Sequence, residues 1–530
     1  MNPRIVSQAL TGSPLAAAAI ANEAPEGWYE RPPIDAQGWR GRVDQVRSGA
    51  SPDWLARLAS AFDATGRAKE RLEAAAEGRG VVVTTGQQPG LFGGPVYTLS
   101  KAVSTLAFAD ELERLTGVPV APVFWAATDD TDFKEASSTV VSATGGAQLL
   151  RIDHLETLGR TMAAMPLGDV SAQVEALISA SGSLIDPSPI ELLERSYTTK
   201  ATVGSAYVTF LRALLSPLGI AVIDASHPAT RSAAHPVLAK ALGSASEIAS
   251  SVADRNKEIE AAGYSPQVQD VRGLSLVFSS ISGSRKRIPI KAAGKQTTSD
   301  DLGPNVLLRP IVERAILPTA TYIGGPAEIA YFAQISGIAD IVGVARPTIV
   351  PRWSCMIIEP HVERILEKLY LLPEDLRDPH QVETRVARER LPASVLEELQ
   401  TTRTTLDERL DSLSDAVSAA EGQPIVTPAV TGGLRANLMR RLDRFERRLI
   451  SASKKQHAET MIEIATARGS LYPMGKPQER SLNFVPLLAR YGPALREDML
   501  EEARRHAGRL LGANAAPATQ EEVVSVRGEL

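Results

Sequence analysis

The chain has 530 residues, 44% of them hydrophobic, which is enough for roughly two to four domains with a sizeable core. Its 57 basic and 62 acidic side chains give a net charge of −5, so no overall positive field is available for nucleic acid or an anionic membrane. A single cysteine excludes a disulfide framework and a zinc site with several cysteines, and no two of the seven histidines have the H-x-x-x-H spacing of a zinc-binding helix.

The sequence also lacks the usual signals of export and membrane insertion. Residues 14–21 are small and apolar, but this run is too short for a signal peptide. No run of about 18 apolar residues, the length of a membrane-spanning helix, occurs in the sequence. We therefore expect a soluble cytoplasmic protein that binds neither nucleic acid nor a membrane and has no metal site.

Residues 1–80 are predicted to form a helical lead-in to the core. Ser51, Pro52 and Asp53 supply an N-cap, a first helical position and an acidic first turn for one of its helices. A charged surface helix is predicted at 67–77.

A strand, a glycine-rich loop and a helix follow at residues 80–101. The β-branched residues of 81–85 show no polar alternation, which is typical of a strand buried on both faces of a parallel sheet. The glycines of the loop are Gly86, Gly90, Gly93 and Gly94. The loop matches neither the Walker A spacing nor the dinucleotide fingerprint. Its N–H groups, beside the positive end of the helix that Pro95 opens, could still hold an anion.

Polar side chains in this stretch are the first binding candidates. Gln87 and Gln88 are poor core residues at the end of a central strand, but their amides can both donate to and accept from a polar ligand. The alternative is a glycine-rich turn that only lets the strand and the helix pack closely. The candidate binding residues are Thr85, Gly86, Gln87, Gln88, Gly93, Gly94 and Tyr97.

A second predicted buried strand, residues 118–125, is followed by an acidic turn. The order strand, helix, strand implies a right-handed crossover and a parallel sheet. Asp129, Asp130 and Asp132 then lie where open α/β sheets bind ligands. For any single aspartate, a helix cap is the alternative. We take Trp125 and Asp129 as binding candidates and Asp130 and Asp132 as catalytic candidates.

Two insertions are predicted within the core, at about residues 140–218 and 228–317. A buried strand between them ends in Asp224, which is a further binding candidate. The second insertion is predicted to hold a strand pair around a basic turn at 283–286 and a mobile loop at 291–305.

The core is predicted to close with a second glycine loop. A strand at 318–323 is followed by paired glycines and a proline-opened helix, the same order as in the first loop. A last strand at 342–350 ends at the sequence PRWS. The binding candidates here are Gly324, Gly325, Tyr331, Arg352 and Ser354, and Glu328 is a catalytic candidate, although a glutamate at a helix start is ordinarily a dipole effect. Because both loops follow strands of one parallel sheet, we expect them to line one pocket.

Beyond about residue 380 the apolar spacing becomes that of a coiled coil. Leucines recur at steps of seven and of four or three in 399–417, and the pattern repeats in 438–452, which predicts two antiparallel helices. The predicted domains are the core at 81–380, the coiled coil at 381–470, C-terminal helices that close on the core at 471–512 and a disordered tail at 513–530.

Short motifs follow one another along the chain in a specific order. They are TGQQPG with GPVYTL (85–99), FWAATDDTDF (124–133), LRP (308–310), GGPAEIAY (324–331), PRWS (351–354) and PMGKPQER (473–480). Over nearly the whole chain, this series resembles the bacillithiol-synthesis cysteine-adding enzymes, a family of cysteine ligases.

The resemblance implies a Rossmann-like core related to nucleotidylyltransferases and class I synthetases, two connecting insertions, a helical coiled coil and a homodimer. It also implies an activity, the joining of L-cysteine to glucosaminyl-malate through an amide bond, which is the last step to bacillithiol. The chain departs from the family pattern at Thr131 and Ser100, where relatives often carry histidine, so a histidine acid or base is not expected at those positions.

For this reaction, Asp132 and Glu328, with Asp130, are predicted to act on the ammonium or amine group. Arg352 and the amides of 93–94 are predicted to hold negative charge. No cofactor is certain, and ATP or another nucleotide stays open as the activator. One alternative is a nucleotidylyltransferase or synthetase-like enzyme for another amino acid. Another is an inactive scaffold, whose polar groups at the strand ends would point away from one another.

Overall fold

The computed structural model describes residues 2–152, 159–269, 271–281, 283–295, 301–418 and 427–512. By their contacts, these residues divide into two compact units. The first comprises the residues up to Val141, Leu149–Ile357 and the described residues from Gln478 on, and the second comprises Ser142–Gln148 and Ile358–Pro477. The predicted tail at 513–530 lies outside the described residues.

Strands lie mainly in the first unit, whereas helices occur in both. The strands are β1 (Arg4–Ser7), β2 (Val81–Gln87), β3 (Val120–Ala126), β4 (Ser138–Ala143), β5 (Gly146–Arg151), β6 (Ala221–Asp224), β7 (Leu274–Ile281), β8 (Ser284–Pro289), β9 (Leu302–Pro304), β10 (Thr319–Gly324), β11 (Ile349–Pro351) and β12 (Cys355–Ile358). The helices of the first unit are α1 (Pro14–Ile20), α2 (Ala36–Ser48), α3 (Trp54–Phe62), α4 (Gly66–Glu77), α5 (Val96–Thr116), α6 (Phe133–Ala136), α7 (Ser171–Ser181), α8 (Ser188–Ser196), α9 (Val203–Leu215), α10 (Pro228–Gly243), α11 (Ala245–Ala261), α12 (Arg309–Ile316), α13 (Pro326–Phe332), α14 (Ser336–Val342), α20 (Gln478–Ser481) and α21 (Val485–Leu510). Those of the second unit are α15 (Pro360–Leu369), α16 (Pro379–Glu389), α17 (Ala393–Ser418), α18 (Pro428–Gln456) and α19 (Ala458–Leu471). Within the described ranges, no helix combines the length and the hydropathy that crossing a membrane requires.

Among the described residues, five strands form a parallel sheet in the first unit. Their order is β11-β10-β2-β3-β6, and each neighbouring pair runs parallel. Val81 and Val83 belong to one buried apolar cluster and Val82 to another, because successive strand residues point to opposite faces of a sheet. The predicted α/β class with a parallel-sheet core is confirmed.

Helices cover both faces of this sheet. The apolar residues of α5 and α21 share a cluster with Val81 and Val83, whereas those of α3 and α4 share one with Val82. Helix α5 begins directly after Pro95 and ends before Gly117, whose φ of +70° is the left-handed conformation that glycine adopts at a helix end. Both ends of this long buried helix are therefore set by local sequence.

The register of the sheet brings the carboxyl ends of three strands together. Gly86 and Gln87 of β2 lie opposite Trp125 and Ala126 of β3. Strand β10 lies on the other side of β2 and ends at Gly324. The residues that follow β2, β3 and β10 therefore meet at one edge of the sheet.

A separate antiparallel sheet, in the order β8-β7-β9, lies within the second predicted insertion. The sequence predicted a basic turn at 283–286, but β8 begins at Ser284 and Arg285 pairs with Ser280 of β7. The guanidinium of Arg285 lies 4.3 Å from the ring centroid of Phe278. The predicted turn is therefore wrong at Arg285, because strand pairing and stacking extend the hairpin. Part of the loop predicted at 291–305 forms β9, and its residues 296–300 lie outside the described ranges.

The second unit contains the predicted helical hairpin, made of α17 and α18. The helices are joined by ion pairs such as that between Arg403 and Asp443, at 2.8 Å. Leu410 is buried, but Leu413 and Phe445 are 45% and 53% exposed. The coiled-coil prediction is confirmed, and the hairpin leaves apolar surface uncovered. By contacts this unit begins at Ile358, earlier than the predicted boundary, because α15 and α16 pack with its helices.

The glycine loop after β2 is closely packed. Gly93 has a φ of +85°, and a Cβ there would lie 2.7 Å from ring carbons of Phe210 and Phe484. The N–H of Gly93 donates to the hydroxyl of Tyr197 at 3.0 Å, and that of Gly94 donates to a carbonyl of the same loop at 3.1 Å. The two amides that the sequence predicted to hold an anion are thus used inside the protein.

Gly93→Ala is expected to lower the free energy of unfolding by about 2–4 kcal/mol, because it adds both backbone strain and a steric clash. Urea denaturation followed by circular dichroism measures this change. The control is Gly41→Ala in α2, where a Cβ meets nothing within 4 Å. That variant should gain roughly 0.5–1 kcal/mol from helix propensity. Parental stability of Gly93→Ala would contradict the close packing of this loop.

Candidate functional site

A cleft of about 490 Å³ lies where β2, β3 and β10 end, the position at which open parallel sheets bind ligands. Its volume is in the range of small-molecule sites. The charged residues that line it are Lys101, Arg285, Arg287, Arg309, Arg352 and Arg480, with Asp129, Asp130, Glu135 and Glu328. The uncharged polar side chains are Gln87, Gln88, Tyr97, Thr131, Asn305 and Tyr331.

Lys101 of α5 forms a buried ion pair at this cleft. Its Nζ lies 2.5 Å from Oε2 of Glu328, and the two side chains are 5% and 14% exposed. Nζ also donates to the carbonyl of Gly86 at 2.7 Å and to Oε1 of Gln87 at 3.1 Å. Burial, the largest influence, lowers the pKa of Lys101, and the attraction of Glu328 opposes it. The lysine thereby connects the end of β2 to the helix that follows β10.

Glu328 is held from several sides. Its carboxylate accepts hydrogen bonds from the hydroxyl of Tyr322 at 2.6 Å and from the N–H of Gly325 at 2.8 Å, and it lies 3.5 Å from Arg309. Burial acts to raise its pKa, but Lys101, Arg309 and the Gly325 hydrogen bond outweigh burial, so its pKa lies below the usual value. The carboxylate is therefore ionised and fully engaged.

Arg309 connects the cleft to a second buried acid. Its guanidinium donates to the hydroxyl of Tyr331 at 2.7 Å and lies 5.1 Å from the ring centroid of Tyr322. Behind it, Oε2 of Glu313 lies 3.6 Å from Nη1, an ion-pair distance beyond hydrogen-bond range. Glu313 also accepts a hydrogen bond from the Thr84 hydroxyl. Burial raises the pKa of Glu313 to about 7, against the opposing effects of Arg309 and Thr84.

Two of the predicted aspartates line the cleft. Asp129 is paired with Arg285, whose Nη2 lies 3.2 Å from Oδ2. Oδ1 of Asp130 accepts hydrogen bonds from the N–H groups of Thr131 at 2.6 Å and Asp132 at 2.9 Å. Burial raises the pKa of Asp130, and these backbone hydrogen bonds oppose the rise. Asp130 is therefore the one of the two that has no ion-pair partner among the described residues.

Glu135 is the fourth acid that lines the cleft. The hydroxyl of Tyr97 donates to Oε1 at 2.9 Å, and the side-chain amide of Gln88 donates to Oε2. Burial is the largest influence on the pKa of Glu135 and raises it, while the Tyr97 hydrogen bond lowers it.

Arg352 lines the cleft but is bound to Glu479. Its Nη1 and Nη2 lie 2.8 and 2.6 Å from the two carboxylate oxygens, a bidentate pair, and the hydroxyl of Ser354 donates to Glu479 at 2.9 Å. The next residue, Arg480, is exposed and makes no hydrogen bond or ion pair within the part of the chain that the structure describes. Arg480 therefore offers the cleft a charge that Arg352 does not.

The sequence-predicted residues divide into two groups by position. Those that line the cleft are Gly86, Gln87, Gln88, Tyr97, Asp129, Asp130, Gly325, Glu328, Tyr331 and Arg352. Those that do not line it are Thr85, Gly93, Gly94, Trp125, Asp132, Asp224, Gly324 and Ser354.

The residues outside the cleft have other contacts. Thr85 donates its hydroxyl hydrogen to the carbonyl of Ile323 at 2.8 Å. The carboxylate of Asp224 accepts from the N–H of Ser226 at 2.9 Å. A Cβ on Gly324 would clash with the side chain of Ile349 on the neighbouring strand β11, so this glycine permits close packing of the two strands.

Trp125 and Asp132 complete this group. Trp125 borders a separate cavity of about 20 Å³. The carboxylate of Asp132 accepts the N–H of Glu135 at 3.3 Å and caps α6, which is the cap that the sequence offered as the alternative.

Several cleft residues were not singled out from the sequence. They are Lys101, Glu135, Arg285, Arg287, Asn305, Arg309 and Arg480. Lys101 follows Tyr97 by four positions, a spacing that places both on one helix face and could have indicated Lys101 as a cleft residue. Arg309 and Arg480 lie in two of the motifs, LRP and PMGKPQER. Glu135 and Arg285 have no comparable local signal.

The cleft is suited to an organic substrate that carries both charges. Guanidinium groups bind carboxylates and phosphates, whereas acids with raised pKa values can hold an ammonium group or accept its proton. Among the residues that the structure describes, no three His, Cys, Asp or Glu side chains are placed to hold a metal ion.

Glu313→Gln is expected to alter the pH dependence of stability. A carboxyl whose pKa is raised from 4.5 to about 7 keeps its proton in the folded protein after the unfolded chain has lost it, so its contribution to stability falls as pH rises through that range. The full loss amounts to roughly 3 kcal/mol. Glutamine cannot ionise, so the stability of the variant relative to the parent should rise from about pH 5 to about pH 8.

Urea denaturation at several pH values measures this difference. The matched control is Glu70→Gln, the same change on the exposed face of α4. Parallel pH profiles for Glu313→Gln and the parent would contradict the raised pKa.

Comparison with known proteins extends over both units. Residues 21–353 match the family model described as bacillithiol biosynthesis BshC, N-terminal Rossmann-like domain, and residues 355–510 match the C-terminal coiled-coil domain of the same family. Three relatives bear the name "Putative cysteine ligase BshC". That from Koribacter versatilis is 30% identical over 86% of this chain and 85% of its own length. That from Heliobacterium modesticaldum is 30% identical over 84% of this chain and 85% of its own length. That from Solibacter usitatus is 29% identical over 85% of this chain and 88% of its own length. The chain therefore belongs to the BshC family of bacillithiol biosynthesis, with a Rossmann-like domain and a coiled-coil domain.

Proposed function

We propose that the chain is a ligase that forms an amide bond between the carboxylate of L-cysteine and the amine of glucosaminyl-malate, the last step of bacillithiol synthesis. The observation that carries this proposal is the family match across both domains, with relatives named as cysteine ligases. We place the reaction in the cytoplasm, because a chain with a single cysteine has no disulfide framework of the kind that secreted proteins use.

The cleft contains the groups that this reaction requires. The amine must lose a proton before it attacks, and the cysteine zwitterion brings both an ammonium and a carboxylate group. Arg480 suits the carboxylate or a phosphate, and Asp130 suits the ammonium. Glu328 supports these roles by holding Lys101 and Arg309 in place.

The position of the polar groups favours an enzyme over a scaffold. In an inactive scaffold the groups at the strand ends have no reason to converge, whereas Gln87, Asp130 and Glu328 line one cleft. Because joining a carboxylate to an amine releases water, the carboxylate must be activated, and a nucleoside triphosphate is the class of activator to test.

The experiment is product formation by the purified protein with L-cysteine and glucosaminyl-malate, with and without ATP, followed by mass spectrometry of the derivatised thiol. We expect bacillithiol in an arm that contains both substrates. Other amino acids in place of cysteine test the synthetase-like alternative. Absence of product with cysteine in every arm, together with unchanged thiols in cells that lack the gene, would overturn the proposal.

Glu328→Gln is expected to keep the shape of the side chain but remove the charge that holds Lys101 and Arg309. Turnover should fall by about 10² or more, the usual effect of losing a positioned acid–base or charged group. Asp132→Asn is the comparison, because asparagine caps a helix as well as aspartate does. Its turnover at about pH 8 should stay within about threefold of the parent, less than ~1 kcal/mol in activation free energy.

Thermal melting tests whether both variants fold. Near-parental turnover of Glu328→Gln would remove this residue from the reaction. A large loss in Asp132→Asn would instead support the catalytic role that the sequence predicted for Asp132.

We also propose that the hairpin joins two copies of the chain in a homodimer. The exposed ring of Phe445 supports this, because burying apolar surface contributes about 25 cal/mol per Å². Phe445→Asp should lower the mass measured by light scattering toward that of a monomer. Tyr370→Asp, at a side chain 94% exposed outside the hairpin, is the control. An unchanged mass for Phe445→Asp would contradict this interface.

A further inference from the structure

Glu135 lies at the end of a hydrogen-bond chain that crosses the cleft. Nζ of Lys101 donates to Oε1 of Gln87 at 3.1 Å, and Nε2 of Gln87 donates to the hydroxyl oxygen of Tyr97 at 3.1 Å. The Tyr97 hydroxyl then donates to Oε1 of Glu135 at 2.9 Å. Gln88 donates to the other carboxylate oxygen.

Lys101, the first member, fixes the direction of the hydrogen bonds in this series. An ammonium group only donates, so Lys101 keeps the amide oxygen of Gln87 toward itself and the amide nitrogen toward Tyr97. The phenol oxygen accepts from that nitrogen, and its own hydrogen is left for Glu135. The buried lysine thus holds the distant carboxylate as a hydrogen-bond acceptor.

Glu135 differs from Glu328 in being available to a ligand. It lines the cleft and is exposed to it, whereas the carboxylate of Glu328 is engaged by Lys101 and Tyr322. A carboxylate has about four acceptor positions, and Tyr97 and Gln88 use one on each oxygen. Acceptor capacity therefore remains for a substrate proton.

We infer that Glu135 is the general base that takes the proton from the substrate amine and that Tyr97 is the positioning residue that orients it. The inference rests on the proposed function and names a residue for one of its steps. In that step an N–H bond of the substrate ammonium breaks and its electron pair stays on nitrogen. An O–H bond forms on Glu135, which becomes a neutral carboxylic acid, and the free amine can attack the acyl carbon.

The surroundings of Glu135 set its proton affinity. The titratable and charged groups that face it are Tyr97 of α5, Tyr207 of α9, Asp130 and Asp132 of its own segment, and Arg480. Burial is the largest influence on the pKa of Glu135 and raises it. The hydrogen bond from Tyr97 lowers this pKa, the negative charges of Asp132 and Asp130 raise it, and the positive charge of Arg480 lowers it. A raised carboxyl pKa suits a base that works near neutral pH.

The test is the pH profile of kcat/KM for product formation by the full-length protein. Glu135→Gln should lower kcat/KM by about 10² or more, as expected for a general base. Tyr97→Phe removes a hydrogen bond that lowers the pKa of Glu135, so the acid limb of the profile should move to higher pH. Asp132→Asn removes a negative neighbour, so its acid limb should move to lower pH. Glu70→Gln on the exposed face of α4 is the matched control.

These outcomes separate the inference from the proposed function. A parent that forms bacillithiol while Glu135→Gln keeps parental kcat/KM overturns the inference alone. The inference is also overturned if the acid limb of the pH profile moves in neither Tyr97→Phe nor Asp132→Asn. If Glu135→Gln does not fold, the pH profiles of these two variants decide whether the inference holds. A parent that forms no product overturns the function and the inference together.

Discussion

The rest of the cleft depends on the buried ion pair between Lys101 and Glu328. Two charges that are 5% and 14% exposed have lost most of their hydration, and such a pair is tolerated only if its remaining donors and acceptors are satisfied. Here Lys101 reaches the carbonyl of Gly86, and Glu328 accepts the N–H of Gly325. The pair therefore ties the end of β2 to the end of β10, and leaving either charge unpaired would cost about 3–5 kcal/mol.

Local sequence was sufficient to predict the frame of the site. Strands buried on both faces have a recognisable apolar run, so the parallel sheet and its two glycine loops could be predicted. Gln87 ends β2 and Glu328 follows the end of β10, and the topology of a parallel sheet alone makes such positions ligand sites. Lys101 follows no strand end, and its spacing from Tyr97 is only a weak signal, because a lysine in a helix is ordinarily exposed. Its burial depends on Glu328, far along the chain.

The details that could not be predicted depend on partners from the two insertions. The glycines at 93–94 predicted N–H groups that could hold an anion, but local sequence did not indicate that Tyr197, in the first insertion, accepts the N–H of Gly93. The second insertion carries Arg285, which local sequence placed in a turn. Pairing of β7 with β8 and stacking on Phe278 make it part of the cleft wall. In both cases a long-range contact decided which of two locally reasonable interpretations holds.

The internal ion pairs also determine which charges are left for substrates. Within the described residues, Lys101 is paired with Glu328, Arg285 with Asp129 and Arg352 with Glu479. The charged side chains that line the cleft without an ion-pair partner in the described chain are Asp130, Glu135 and Arg480. Because the three internal pairs are fixed by burial and by hydrogen bonds, their charges are not available to a ligand. Asp130, Glu135 and Arg480 remain, so a zwitterionic substrate can meet both signs of charge in one cleft.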